Sequence, residues 1–143
     1  MGRHAIRLLL FLVIVAALTA CSDDKKTAGT LVNPLVMPAH SRSEIIATLR
    51  DLFEKNDTIR VTDAVVSDPV IKSVGSSQLY TACVRYTAHG TSPGMVGTAE
   101  RIGYFYSGHL NQLVPADEGQ CKGAAYKPFP ELNELCIGTG CRR

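Results

Sequence analysis

The chain has 143 residues, 45% of them hydrophobic and 20% charged, with 15 lysines and arginines against 13 acids and five cysteines. That length suits one domain with a modest core and would crowd two. A formal charge of +2, with no basic cluster, excludes the phosphate-neutralising face that nucleic-acid binding requires.

The chain opens with "MGRHAIR", carrying Arg3 and Arg7, and continues through thirteen uncharged residues, "LLLFLVIVAALTA", to Cys21. A basic start, a short apolar run and a small-residue exit make a secretory signal. A permanent membrane-crossing helix would need about 20 apolar residues. Leu18-Thr19-Ala20-Cys21 closely resembles the lipobox of bacterial lipoproteins, in which the chain is cut before the cysteine and the thiol receives a diacylglycerol. The resemblance implies a signal peptide over residues 1–20, lipidation at Cys21, and membrane attachment through the acyl chains. It also implies a periplasm-facing place in the cell envelope. Ser22 after the cysteine fits outer-membrane sorting, since Asp23 comes one position too late for the retention signal of enteric bacteria. Without Arg3 and Arg7, thirteen basic side chains face thirteen acids over the remaining 123 residues.

"SDDKKTAGTLVNPLVMPAH" has charges, Gly29, Pro34 and Pro38 but no period, so residues 21–40 read as the lipidated cysteine and an extended tether. Its apolar piece, "LVNPLVMP", has a second reading as an edge segment lying on the domain, because its prolines permit extended chain but deny central pairing. The folded domain then spans residues 41–143. It begins with Ser41-x-x-Glu44, the pattern of a capping box, in which the glutamate reaches back to the helix start. Ile45, Ile46, Leu49, Leu52 and Phe53 follow at helical spacing and make one apolar stripe, which must lie on something apolar.

Strands come next. "TIRVTDAVV" alternates up to the turn signal Ser67-Asp68-Pro69, and "QLYTACVRYTA" puts Tyr80, Ala82, Val84 and Tyr86 on one face, with Cys83 and Arg85 on the other. "HGTSPGMVG" reads as a hairpin connection. "TAERIGYFYSGHLNQLV" reads as strand, Ser107-Gly108 turn, strand, with Ile102, Tyr104 and Tyr106 on one side. The fold expected is α+β: one N-terminal helix packed on a three- to four-stranded antiparallel sheet. Past Val114 the period fades, and "PADEGQCKGAAYKPFPELNELCIGTGCRR" reads as an irregular tail held by disulfides, with a helical turn near Pro130.

Cysteine arithmetic supports export. With Cys21 lipidated, Cys83, Cys121, Cys136 and Cys141 form an even set, and two disulfides are expected in an oxidising compartment. The short loop between Cys121 and Cys136 favours joining those two and leaving Cys83 to Cys141; the alternative joins Cys136 to Cys141 across "IGTG". No CxxC pair and no histidine beside these cysteines suggests a metal site, and no cofactor is expected. "CVRYTA", "YFYSGHLNQLV" and "AAYKPFPELNELC" resemble segments of small, uncharacterised lipoproteins of Gram-negative envelopes, a resemblance that covers most of the domain and implies no activity.

Catalytic patterns are missing: there is no Gly-x-Ser-x-Gly elbow, no His-Glu-x-x-His and no Walker loop. Gly90, Gly94 and Gly97 do not match the spacing of a phosphate loop, and Asp117 and Glu118 are adjacent, which points their carboxylates apart. His40, His89 and His109 lie at predicted turns, and Cys83 beside His89 or His109 is the remote arrangement for a cysteine-dependent enzyme. The leading expectation is a non-enzymatic, membrane-anchored lipoprotein that binds another envelope component. The second is a small-ligand module whose binding face carries Tyr80, Tyr86, Tyr104, Tyr106, Tyr126 and Phe129.

Overall fold

The computed structural model describes residues 33–55, 59–90 and 96–138. The first helix, α1 (Ser41–Glu54), buries Ile45, Leu49 and Phe53 completely, with Ile46 and Leu52 half-buried beside them, which is the stripe expected from the spacing. The capping box does not form. His40 occupies the cap position without a side-chain bond to the helix, and Ser43 Oγ donates to His40 O at 3.0 Å. The Glu44 carboxylate instead crosses to the sheet, accepting the Leu110 N–H at 2.5 Å and meeting His109 Nδ1 at 3.1 Å. Amides of a first helical turn can bond water, whereas a donor covered by a packed helix has no such outlet, so the carboxylate serves the donor whose loss would cost more.

Among the described residues seven strands follow: β1 (Ile59–Ser67), β2 (Val70–Val74), β3 (Ser77–His89), β4 (Gly97–Tyr106), β5 (His109–Pro115), β6 (Tyr126–Pro128) and β7 (Cys136–Ile137), with a short helix, α2 (Pro130–Asn133), between the last two. They form one antiparallel sheet in the order β5-β4-β3-β1-β6, with β2 also on β3 and β7 also on β1. The α+β character and antiparallel pairing stand, but the strand count exceeds the three or four expected. One reason is that β1 and β2 lie end to end along the thirteen-residue β3, separated only by Asp68 and Pro69. The other is that β6 and β7, at three and two residues, are too short to show a period. The tail is therefore not irregular throughout.

Two positions show how the tail is recruited. Asp63 adopts φ 55°, and the register slips by one residue between Thr62 and Val65, making a bulge in β1. The bulge frees the backbone of Ala64, whose N–H donates to Asn133 Oδ1 at 2.8 Å and whose carbonyl accepts the Phe129 N–H at 2.9 Å. Phe129 and Leu132 are then fully buried in the core. At the opposite end of the sheet, the predicted Ser107-Gly108 turn joins β4 to β5 with φ of 53° and 85°, the two positive values that a type I′ hairpin demands.

The core fills the face under α1. Ala82, Val84, Tyr86 and Ala88 of β3 meet Val61, Phe105 and the helix stripe, and Tyr86 packs edge-on to Phe53 with ring centroids 5.6 Å apart. Cys83 lies on the other face with Ile102, Tyr104 and Cys121, as the alternation of β3 predicts. Residues 33–38 lie on the domain, which favours the edge-segment reading for this part of the tether. Pro34 O accepts the Ser107 N–H at 3.2 Å, Pro38 is buried, and Val36 covers Gly108.

Candidate functional site

The second face of the sheet gathers the polar side chains. Pro69 has no N–H and interrupts the pairing of β1 and β2 with β3. Side chains bridge the break: the Cys83 N–H donates to Ser67 Oγ at 2.9 Å, and Thr81 Oγ1 donates to Val70 O at 3.4 Å. Both Ser67 and Thr81 are buried.

Over this face runs residues 116–126, a segment of successive turns. Gly119 and Gly123 take φ of 84° and 77°, which only glycine adopts without strain. The segment is held by the Cys83–Cys121 disulfide, whose Cα atoms are 5.9 Å apart, by Ala116 N–H donating to Glu100 O, and by Gln120 Nε2 donating to Tyr104 OH at 3.3 Å. Between the segment and the strand break lies a concavity of about 240 Å³, lined by Ser67, Asp68, Lys72, Thr81, Cys83 and Lys122 among others. Two of its charged groups are already engaged. Lys72 Nζ donates to Gln120 O at 2.6 Å, and Lys127 pairs with Asp68.

Beside the concavity, the Arg85 guanidinium stacks 4.6 Å above the Tyr126 ring, and the Tyr126 hydroxyl donates to Glu100 Oε1 at 2.5 Å. Burial, and then the hydrogen bond and negative charge of Glu100, hold the Tyr126 hydroxyl well above its ordinary pKa, with Arg85 pulling the other way. Tyr126 is therefore a neutral donor at physiological pH. Among the described residues no group of three His, Cys, Asp or Glu side chains could hold a metal, and no buried side-chain polar atom lacks a partner. The arrangement offers a lysine ammonium group, hydroxyls and a small partly apolar hollow.

The pairing of Cys121 with Cys136 is corrected: Cys121 joins Cys83. Turns fold Cys121 back over β3, while β7 carries Cys136 to the far side of β1. Cys136 is itself disulfide-bonded, and Cys21 and Cys141 lie outside the described residues. The cysteine–histidine arrangement is also overturned, since Cys83 holds no thiol. His89 Nε2 sits 2.8 Å from Thr62 Oγ1, and His109 meets Glu44.

The expected aromatic face is not one face. Tyr86 and Phe129 are buried in the core, with Arg42 stacked 4.5 Å from the Phe129 ring, and Tyr80 packs on the same side. Tyr104 and Tyr126 belong to the disulfide face, and Tyr106 is exposed at the β4–β5 turn. Ser67, Lys72, Thr81 and Lys122 were not legible as site residues, because only the Ser-Asp-Pro signal marks their place and it reads equally as a turn. Comparison with protein-family models, with curated proteins and with solved structures finds no match to this chain.

Proposed function

We propose that this chain is a lipid-anchored protein of the bacterial cell envelope, acylated at Cys21, facing the periplasm from the outer membrane, and acting by binding another envelope component rather than by catalysis. The observation that carries the reading is the run from Arg3 through the thirteen apolar residues to Leu18-Thr19-Ala20-Cys21. Two disulfide-bonded sites in the described domain, Cys83–Cys121 and Cys136, support export to an oxidising compartment. The oxidised state of Cys83 argues against cysteine chemistry.

The test is Cys21→Ser, followed by fractionation and mass measurement. Acylation with two or three chains gives stable anchoring, because each buried methylene contributes about 0.8 kcal/mol and one chain is marginal. The variant is expected to stay as uncleaved precursor or to become soluble; a variant that matures to the same mass and stays with membranes would refute the anchor. Pull-down of the acylated protein from solubilised envelopes then identifies the component bound. A second reading, a small-ligand module, is favoured by the 240 Å³ concavity at the β1–β2 break, in place of the tyrosine face expected from sequence. A small molecule co-purifying with the wild-type protein and lost on Thr81→Phe would support it.

A further inference from the structure

The two hairpin turns, Gly75-Ser76 and Ser107-Gly108, lie at one end of the sheet, because Val74 pairs with Ser77, Tyr80 with Phe105, and Tyr106 with His109. Residues 33–38 are laid on that same end through the Pro34–Ser107 hydrogen bond. We propose that this hairpin end rests on the phospholipid bilayer, with Val36, Met37 and Tyr106 entering the boundary between headgroups and acyl chains. The proposal rests on the lipid-anchored reading above and adds an orientation to it.

Three observations carry it. The exposed apolar side chains at the β4–β5 turn are Val36, Met37 and Tyr106, with 42%, 63% and 47% of their surfaces open. Tyrosine, with an apolar ring and a polar tip, suits the membrane–water interface. Charge divides the sheet by its ends. The three segments at the hairpin end, residues 33–40, 71–79 and 105–110, contain Lys72 and no carboxylate, while Arg60, Asp63, Glu100 and Arg101 lie toward the other end. Glu44, the carboxylate that reaches this turn, is engaged by Leu110 N–H and His109. Finally, Asn33 is twelve residues after Cys21, a span of at most roughly 40 Å, so the chain from the acylated cysteine joins the domain at this end. Burying the three side chains at the interface is favourable for the same reason that burying them in a core would be.

The chain contains no tryptophan, so Tyr106→Trp introduces a single indole. Val114→Trp places one toward the other end of β5, and Met37→Trp serves as a second reporter at the hairpin end if Tyr106→Trp disturbs folding. Each full-length, acylated variant is reconstituted into phosphatidylcholine vesicles with brominated acyl chains. Emission from Tyr106→Trp and Met37→Trp is expected to be quenched severalfold more than emission from Val114→Trp. Equal quenching, or none, in protein whose Cys21 peptide carries acyl chains would overturn the orientation while leaving the anchor intact. Protection from aqueous acrylamide without quenching by bromolipid would mean that protein covers this end, and would overturn it too. A Cys21 peptide without acyl mass would instead bring down the anchor, and the orientation with it.

Discussion

The two faces of the sheet are covered by different means. Under α1 the cover is apolar and regular: one helix face buries Ile45, Leu49 and Phe53 against alternating residues of β3, and tail residues Phe129 and Leu132 complete the same core. Over the other face the cover is a run of turns with a small apolar cluster of Cys83, Ile102 and Cys121, held by a disulfide and a few polar contacts. Hydrophobic burial scales with apolar area and needs no covalent link, whereas a segment that buries little must be fixed by constraint of the unfolded chain. The helix face should therefore respond to side-chain truncation and the disulfide face to reduction.

The largest effect is expected from Phe53→Ala, which empties a fully buried ring site beside Tyr86 and should cost about 3–5 kcal/mol, measured by denaturant unfolding under oxidising conditions. A loss below about 1 kcal/mol would mean that the helix is not the main cover. Next is the paired substitution Cys83→Ala with Cys121→Ala. Its cysteines are 38 residues apart, and opening such a loop should cost roughly 4 kcal/mol on a chain-entropy account. Hydrogen exchange sharpens the contrast: amides of residues 116–125 should lose protection first, while those of α2 keep it because Phe129 and Leu132 stay in the core. Equal loss across both would show that the tail is one cooperative unit.

Asn133→Ala is expected to cost about 1–3 kcal/mol by leaving the Ala64 N–H at the β1 bulge without its acceptor. Asn133→Asp, which keeps an oxygen there, should recover most of it. The smallest effect concerns pH. Because the folded state holds the Tyr126 proton more tightly than the unfolded chain does, its contribution is fully present below the unfolded tyrosine pKa of about 10 and is lost as pH rises above that value. Tyr126→Phe should flatten the alkaline side of the stability profile. An unchanged alkaline profile would show that burial and the Glu100 hydrogen bond do not hold this proton in solution.

Period and turn chemistry in the sequence determined α1, the alternation of β3, and the Ser107-Gly108 turn, because each depends on residues a few positions apart whose side chains must share a face or adopt positive φ. Tertiary structure alone decided the rest. Glu44 has the local spacing for a capping box, yet an amide sixty-six residues away takes its carboxylate. Cys121 lies nearer Cys136 in sequence, yet the turns of residues 116–126 bring it to Cys83. The six aromatic residues look alike in composition, but the pleat of the sheet and the return of β6 and α2 send them to different sides. β6 and β7 exist only because β1 offers an edge and a bulge for them to satisfy. A local pattern states what a residue can do, and which unmet donor, acceptor or apolar surface it meets depends on chain that is distant in sequence and adjacent in space.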